Sequence, residues 1–140
     1  MSDTGTTIGE TRNTPTARKR RSLGIALLAL QILLAIQFAF AGSLKLIGDP
    51  TMVEMFATIG VGQWFRYVVG ALEIAGTIGV LIPRFSGLAA LGLVCLMVGA
   101  TITNVFVLGT SPVAPLVALL MSALVACGRW PRTKNLLGRR

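Results

Sequence analysis

The sequence contains no histidine, only five acidic residues, and two cysteines far apart from one another. Each shortage removes a class of chemistry. Without histidine there is no imidazole base, no Ser-His-Asp triad and no histidine-ligated metal or haem. Cys95 and Cys127 each lie deep in an apolar segment, and no C-x-x-C pair exists to act as an accessible redox dithiol. Both are expected to be buried and to behave as small hydrophobes. No metal site is expected. Charge is scarce too: 13% of the 140 residues are charged and 54% hydrophobic, with a mean hydropathy of +0.77. That is about half the charged share of a soluble domain, too little to cover the surface of one.

What is present is long apolar sequence. From Phe85 to Gly128 no charged residue occurs, and as one helix this run would measure roughly 66 Å, about twice the hydrocarbon thickness of a bilayer. The chain therefore reads as an integral membrane protein. Its net charge of +8 does not make it a nucleic-acid binder, because the basic residues flank apolar spans instead of lining one folded face.

Four spans are expected, over residues 23–44, 64–82, 85–108 and 113–127. Residues 1–17 are rich in Thr, Gly, Ser and Asn and carry too little apolar surface to repay ordering, so a disordered basic tail is expected over 1–21. The first span follows Arg18-Lys19-Arg20-Arg21 and is too long for a signal h-region ending at Ala39-Phe40-Ala41. Trp64 and Tyr67 suit an interfacial aromatic belt, and Pro83 stops the second span. The segment Gly109 to Pro115 supplies the reversal within the long uncharged run. Gly128 is expected to cap the fourth span, with a second basic tail over 129–140. Four crossings put both termini, and the turn at Arg84, on one side. That side holds Arg12, Arg18, Lys19, Arg20, Arg21, Arg84, Arg129, Arg132, Lys134, Arg139 and Arg140, against Lys45 and Arg66 on the other. Eleven against two predicts cytoplasmic termini in a cell (plasma or inner) membrane, with the basic tails against anionic headgroups.

The loop between spans 1 and 2 has structure of its own. Asp49 reads as an N-cap, Pro50 as the first helical residue and Gly60 as the stop. Met52, Met55, Phe56 and Ile59 recur at helical spacing, with Thr51, Glu54 and Thr58 elsewhere on the wheel. A short amphipathic helix is expected, lying on the outer bilayer face or over the mouth of the bundle, where it either packs to close the bundle end or serves as a gating or partner-docking lid. The predicted fold class is all-α, a four-helix membrane bundle with this helix in the external loop. Small residues that let helices approach closely are Ala35, Ala39 and Ser43 in the first span, Ala71, Ala75 and Gly79 beside Gly70 and Gly76 in the second, and Ser86, Ala90, Gly99 and Thr103 in the third. No helix carries the continuous polar stripe of a water-filled pore.

Glu73 is the one acidic residue near the middle of a span, where a carboxylate costs about 2.5–3.5 kcal/mol on insertion scales. It must face protein, find a donor or stay protonated. Arg66, two turns earlier on the same face, and Lys45, at the end of the first span, are candidate partners. Gln31, Gln37, Thr101 and Asn104 are candidate hydrogen-bond donors. The candidate intramembrane polar site is thus Glu73, Arg66, Lys45, Asn104 and Gln37. It is either a structural clamp or a site for a proton, a ligand or a quinone headgroup.

The run Phe38-Ala39-Phe40-Ala41-Gly42-Ser43-Leu44-Lys45-Leu46 resembles the first-helix end of DoxX-like membrane proteins, whose pattern is roughly F-x-x-x-G-x-x-K-L. The stretch Gly70-Ala71-Leu72-Glu73-Ile74-Ala75-Gly76, then Leu81-Ile82-Pro83-Arg84-Phe85, is similar to that family's second helix and turn, and Gly99-Ala100 to its third helix. The resemblance covers about Leu23 to Trp130. It implies a four-helix bundle, with relatives linked to a thiosulfate:quinone oxidoreductase, to methylamine-utilisation maturation and to a membrane oxidoreductase complex in oxidative-stress defence. Many relatives carry histidine or acidic residues in the third and fourth helices, and this chain has none there. Two readings follow: a small subunit or anchor of a quinone-linked redox assembly, with quinone as the implied cofactor and a protein partner, or a non-redox partner-binding, assembly-factor or carrier bundle. Standalone catalysis is not expected, since no nucleophile–base pair or cofactor motif occurs.

Overall fold

The computed structural model describes residues 15–138. They form α1 (Pro15–Ile47), α2 (Pro50–Ile59), α3 (Gln63–Leu81), α4 (Ser86–Thr103) continued by a π-helical turn (Asn104–Leu108), and α5 (Val113–Leu137), with no strand among the described residues. Four helices are long and apolar enough to cross a membrane: α1, α3, α4 with its π turn, and α5. They make an up-down bundle in which α1 packs on α3, α3 on α4, α4 on α5, and α5 returns to α1. Both ends of the described chain lie at one end of the bundle, here the termini end, and α2 covers the other.

Apolar side chains face outward along every span, among them Ile36, Phe40, Leu72, Ile102, Phe106 and Leu120. In water this would be untenable, but in lipid it costs nothing. The core between the helices is small, built on Leu34, Phe38, Val80, Leu93, Met97 and Val125. Most hydroxyls in the spans bond back to a carbonyl four residues earlier in their own helix, as Ser43 does to Ala39, Thr101 to Met97 and Ser122 to Ala118. They need no partner on another helix.

Glycine sets the helix crossings. A Cβ on Gly42 would sit 3.0 Å from the carbonyl oxygen of Gly70, and one on Gly70 would sit 3.1 Å from that of Gly42. The backbones of α1 and α3 thus meet with nothing between them. Gly76 and Gly79 play the same part toward Leu93 and Ala89 of α4. The predicted small-residue stripes shift accordingly. Ser43, Ala71, Ala75 and Gly99 are exposed, because the buried face of α1 runs through Gln31, Ala35, Phe38 and Gly42, and that of α3 through Arg66, Gly70, Glu73 and Thr77.

The ends of two helices differ from expectation. α1 starts at Pro15, so residues 15–21, expected in a disordered tail, are helical. Nothing between Pro15 and Leu23 breaks a helix, Lys and Arg are good helix formers, and Pro suits the first turn. The expected disorder of residues 1–14 lies outside the described residues. At its other end the chain continues through Gly128 and Pro131 to Leu137 in α5. Gly128 is no cap: a Cβ there would fall 2.6 Å from the Leu27 side chain, so the glycine admits α1.

Both cysteines are exposed rather than buried. On the outer surface of a span a thiol meets lipid, which satisfies the same apolar preference without entry into the core.

The predicted helix in the loop is found with its signals intact. The Asp49 carboxylate accepts from the Thr51 N–H at 3.1 Å, Pro50 begins the helix, and Gly60 ends it in the left-handed region at φ 80° with its N–H donated to Phe56. Pro83 likewise ends the second span: α3 stops at Leu81 and Ile82 turns extended.

Candidate functional site

The buried face of α3 carries two charged side chains, Arg66 and Glu73, 4% and 3% exposed. They do not pair with each other. The Gly42–Gly70 crossing brings the last turns of α1 alongside the middle of α3, and Lys45 stands beside Glu73. Its ammonium donates to Glu73 Oε2 at 2.9 Å and Oε1 at 3.1 Å, with the Ala41 carbonyl at 3.5 Å. The pair is enclosed, at 13% and 4% side-chain exposure, and its attraction is correspondingly little screened. Arg66 turns the other way. Its Nη1 donates to the Lys45 carbonyl, its Nε to Gln63 Oε1 at 2.8 Å, and its guanidinium lies 4.3 Å from the Tyr67 ring centre. Gln63 in turn donates to the Val53 carbonyl at 3.0 Å. Arg66 therefore ties α1, α2 and α3 together and neutralises no carboxylate among the described residues.

Lys45 and Glu73 line a cavity of about 420 Å³ in the half of the bundle beneath α2. Gln37 of α1 and Asn104 of the π turn line it as well, so four of the five predicted site residues surround one space and Arg66 does not. The apolar face of α2, Met52, Met55, Phe56 and Ile59, forms the roof. The remaining walls are apolar, from Phe38, Phe65, Val69, Leu96 and Pro115 among others. Asn104 also shapes the chain: its side-chain amide donates to Ser111 at 3.4 Å and its backbone carbonyl accepts from Thr110 at 2.9 Å, fastening the turn into α5. A single π turn at a cavity wall widens the helix locally, a placement often found at functional sites. The Gln37 amide makes no hydrogen bond within the described residues and remains available to an occupant.

Two predicted donors lie elsewhere. Thr101 is satisfied within α4. Gln31 sits at the termini end, where its amide donates to the Val80 carbonyl at 2.6 Å and its oxygen accepts from Arg129 Nε at 2.8 Å. That second polar clamp joins α1, α3 and α5. Sequence reasoning missed it because Arg129 looked like a tail residue beyond the last span, whereas α5 carries it as helix.

Among the described residues no group of three His, Cys, Asp or Glu side chains could hold a metal ion. The site's chemistry is that of a neutral ion pair and two amides in an otherwise apolar chamber. It can bind and orient a lipophilic molecule bearing hydrogen-bonding oxygens. No curated protein and no solved structure matches the chain. The model of the DoxX-like family matches residues 29–127, which takes in the whole cavity and most of all four spans, and the chain belongs to that family.

Proposed function

We propose that the protein is a small membrane subunit or anchor of a quinone-linked redox assembly, and that the chamber beneath α2 receives the quinone headgroup. The observation that carries this reading is the composition of the chamber. Its volume of about 420 Å³ falls in the range of small-molecule sites, which are mostly apolar with a few placed polar groups. A quinone presents two carbonyl acceptors on an apolar ring. The Gln37 and Asn104 amides are donors for such acceptors, the Lys45 ammonium becomes one on giving up its 3.5 Å bond to the Ala41 carbonyl, and Glu73 holds Lys45 in place and keeps the site neutral. The chain supplies binding and orientation, and the electrons come from a protein partner.

The test is solvent extraction of the protein purified in lipid nanodiscs, with bound quinone quantified. Wild type is expected to carry quinone in near-stoichiometric amount, and the folded Lys45→Met/Glu73→Met variant to lose it. Wild type free of quinone but holding a co-purifying polypeptide would favour the assembly-factor reading instead.

The same reading places the termini in the cytoplasm of a cell with this protein in its plasma or inner membrane. The basic ends then meet anionic headgroups, worth about 1 kcal/mol for each Lys or Arg near the surface. Reporter fusions at residue 140 and within α2 are expected to report opposite sides, with the C-terminal one cytoplasmic. An external C-terminal reporter would reverse the orientation.

A further inference from the structure

We infer that the chamber is entered sideways from the bilayer, through a gap between α3 and α4 in the half nearest α2, and that its occupant is a neutral, membrane-dissolved molecule. The inference rests on reading the chamber as a ligand site. It adds the route and the charge of what enters.

Two facing stripes decide the route. On α3, Val69, Gly76 and Gly79 lie along the side that meets α4; on α4, Ala89, Leu93 and Leu96 lie along the side that meets α3. Near the termini end the stripes touch: a Cβ on Gly79 would fall 2.7 Å from Ala89, and one on Gly76 2.5 Å from Leu93. Toward α2 the same stripes no longer close on each other but line the chamber, with Val69 on one wall and Leu96 on the other. At the lipid edge of that wall stand Cys95 and Gly99, two of the three chamber-lining residues that are exposed; the third, Ala114, stands alone at the start of α5. A Cβ on Gly99 would meet nothing within 4 Å. Residues that belong at once to the wall of a cavity and to the outer surface mark its opening, and this opening faces lipid. The aqueous end is covered by α2, whose apolar face is turned inward.

Charge decides the occupant. Lys45 is matched by Glu73, and Arg66 lines none of the chamber, so no unbalanced cation recruits an anion. A charged molecule would also leave lipid solution at a heavy desolvation cost. A neutral molecule with hydrogen-bonding oxygens meets neither obstacle.

Gly92 provides an internal control. It lies two turns before Gly99 on the same exposed side of α4, also has nothing within 4 Å of a Cβ, and lines no part of the chamber. The full chain in nanodiscs is photolysed with a bilayer-dissolved aryl diazirine, and labelling at Val69 and Leu96 is mapped by mass spectrometry. Wild type is expected to label at both. Gly99→Trp is expected to reduce that labelling severalfold, while Gly92→Trp leaves it at the wild-type level. Gly99→Leu, a smaller plug, should act in the same direction if the tryptophan variant fails to fold. Loss on Ala114→Trp, with Gly99→Trp unaffected, would move the entrance to the α1–α5 side and overturn the inference. So would equal loss in Gly92→Trp, or no labelling of wild type. A competition arm separates the two proposals. Labelling that is blocked by Gly99→Trp but undiminished by a fully substituted alkylbenzoquinone leaves the entrance standing and removes quinone as the occupant.

Discussion

Lys45→Met is expected to destabilise the bundle by about 3–5 kcal/mol, the cost of leaving one member of a buried ion pair unmatched. The stranded group would be the Glu73 carboxylate, 4% exposed and with no other cation in contact among the described residues. Arg66 does not relieve it, because its guanidinium is committed to the Lys45 backbone carbonyl and to Gln63, and neither bond depends on the lysine side chain. Glu73→Met alone should be damaging for the mirror reason. Removing both charges should restore most of the loss, because an apolar replacement of a whole buried pair is often neutral or stabilising. Thermal melts of the two single variants and the double variant in detergent measure this. A double variant as unstable as either single one would show that the side chains matter by shape and not as a matched pair.

The second large effect belongs to Gly70. A valine there would press its branched Cβ on the Gly42 carbonyl and on the Lys45 Cβ, which lies only 3.0 Å from the position of a Cβ. Backbone cannot yield as a flexible side chain does, so α1 and α3 must separate. Overpacking of this kind costs about 1–3 kcal/mol, and the separation would also draw Lys45 from Glu73, so stability and ligand occupancy should fall together. Gly92→Ala and Gly99→Ala should do the reverse. Each adds a methyl into open space in a helix interior, where alanine is favoured by about 1 kcal/mol. Melting temperatures below wild type for Gly70→Val and at or above it for the two alanine variants are the expected pattern. Tolerance of Gly70→Val would show that the crossing can move.

The contrast between these glycines explains what was legible in the sequence. Signals carried by neighbouring residues were readable. Asp49, Pro50 and Gly60 bracket α2 because caps are local, and Pro83 stops α3 for the same reason. Four apolar spans follow from composition alone. Contacts between helices were harder. Lys45 and Arg66 were equal candidates for Glu73, and the choice depends on how α1 slides along α3, which Gly42 and Gly70 settle jointly. Gly128 carries the same ambiguity: a glycine near the end of an apolar run caps one helix or admits another, and Leu27 of α1 decides the matter here. Cys95 and Cys127 were misplaced because an apolar segment in lipid has no inside preference; lipid and core are alike to a thiol. The chamber had no signature at all. Its polar residues were identifiable one by one, but a void exists only where two stripes fail to close.

The pairing of Lys45 with Glu73 also bears on the membrane voltage. Moving one elementary charge across the full potential is worth about 2.3 kcal/mol per 100 mV, so a charged guest drawn to a lone ammonium or carboxylate at this depth would make occupancy follow the electrical state of the cell. A matched pair carries no net charge and feels only the difference in potential over its own 2.9 Å separation. A neutral guest adds none. The chamber would accordingly fill and empty alike in energised and de-energised membranes, and a voltage dependence of the proposed redox assembly would have to arise outside it.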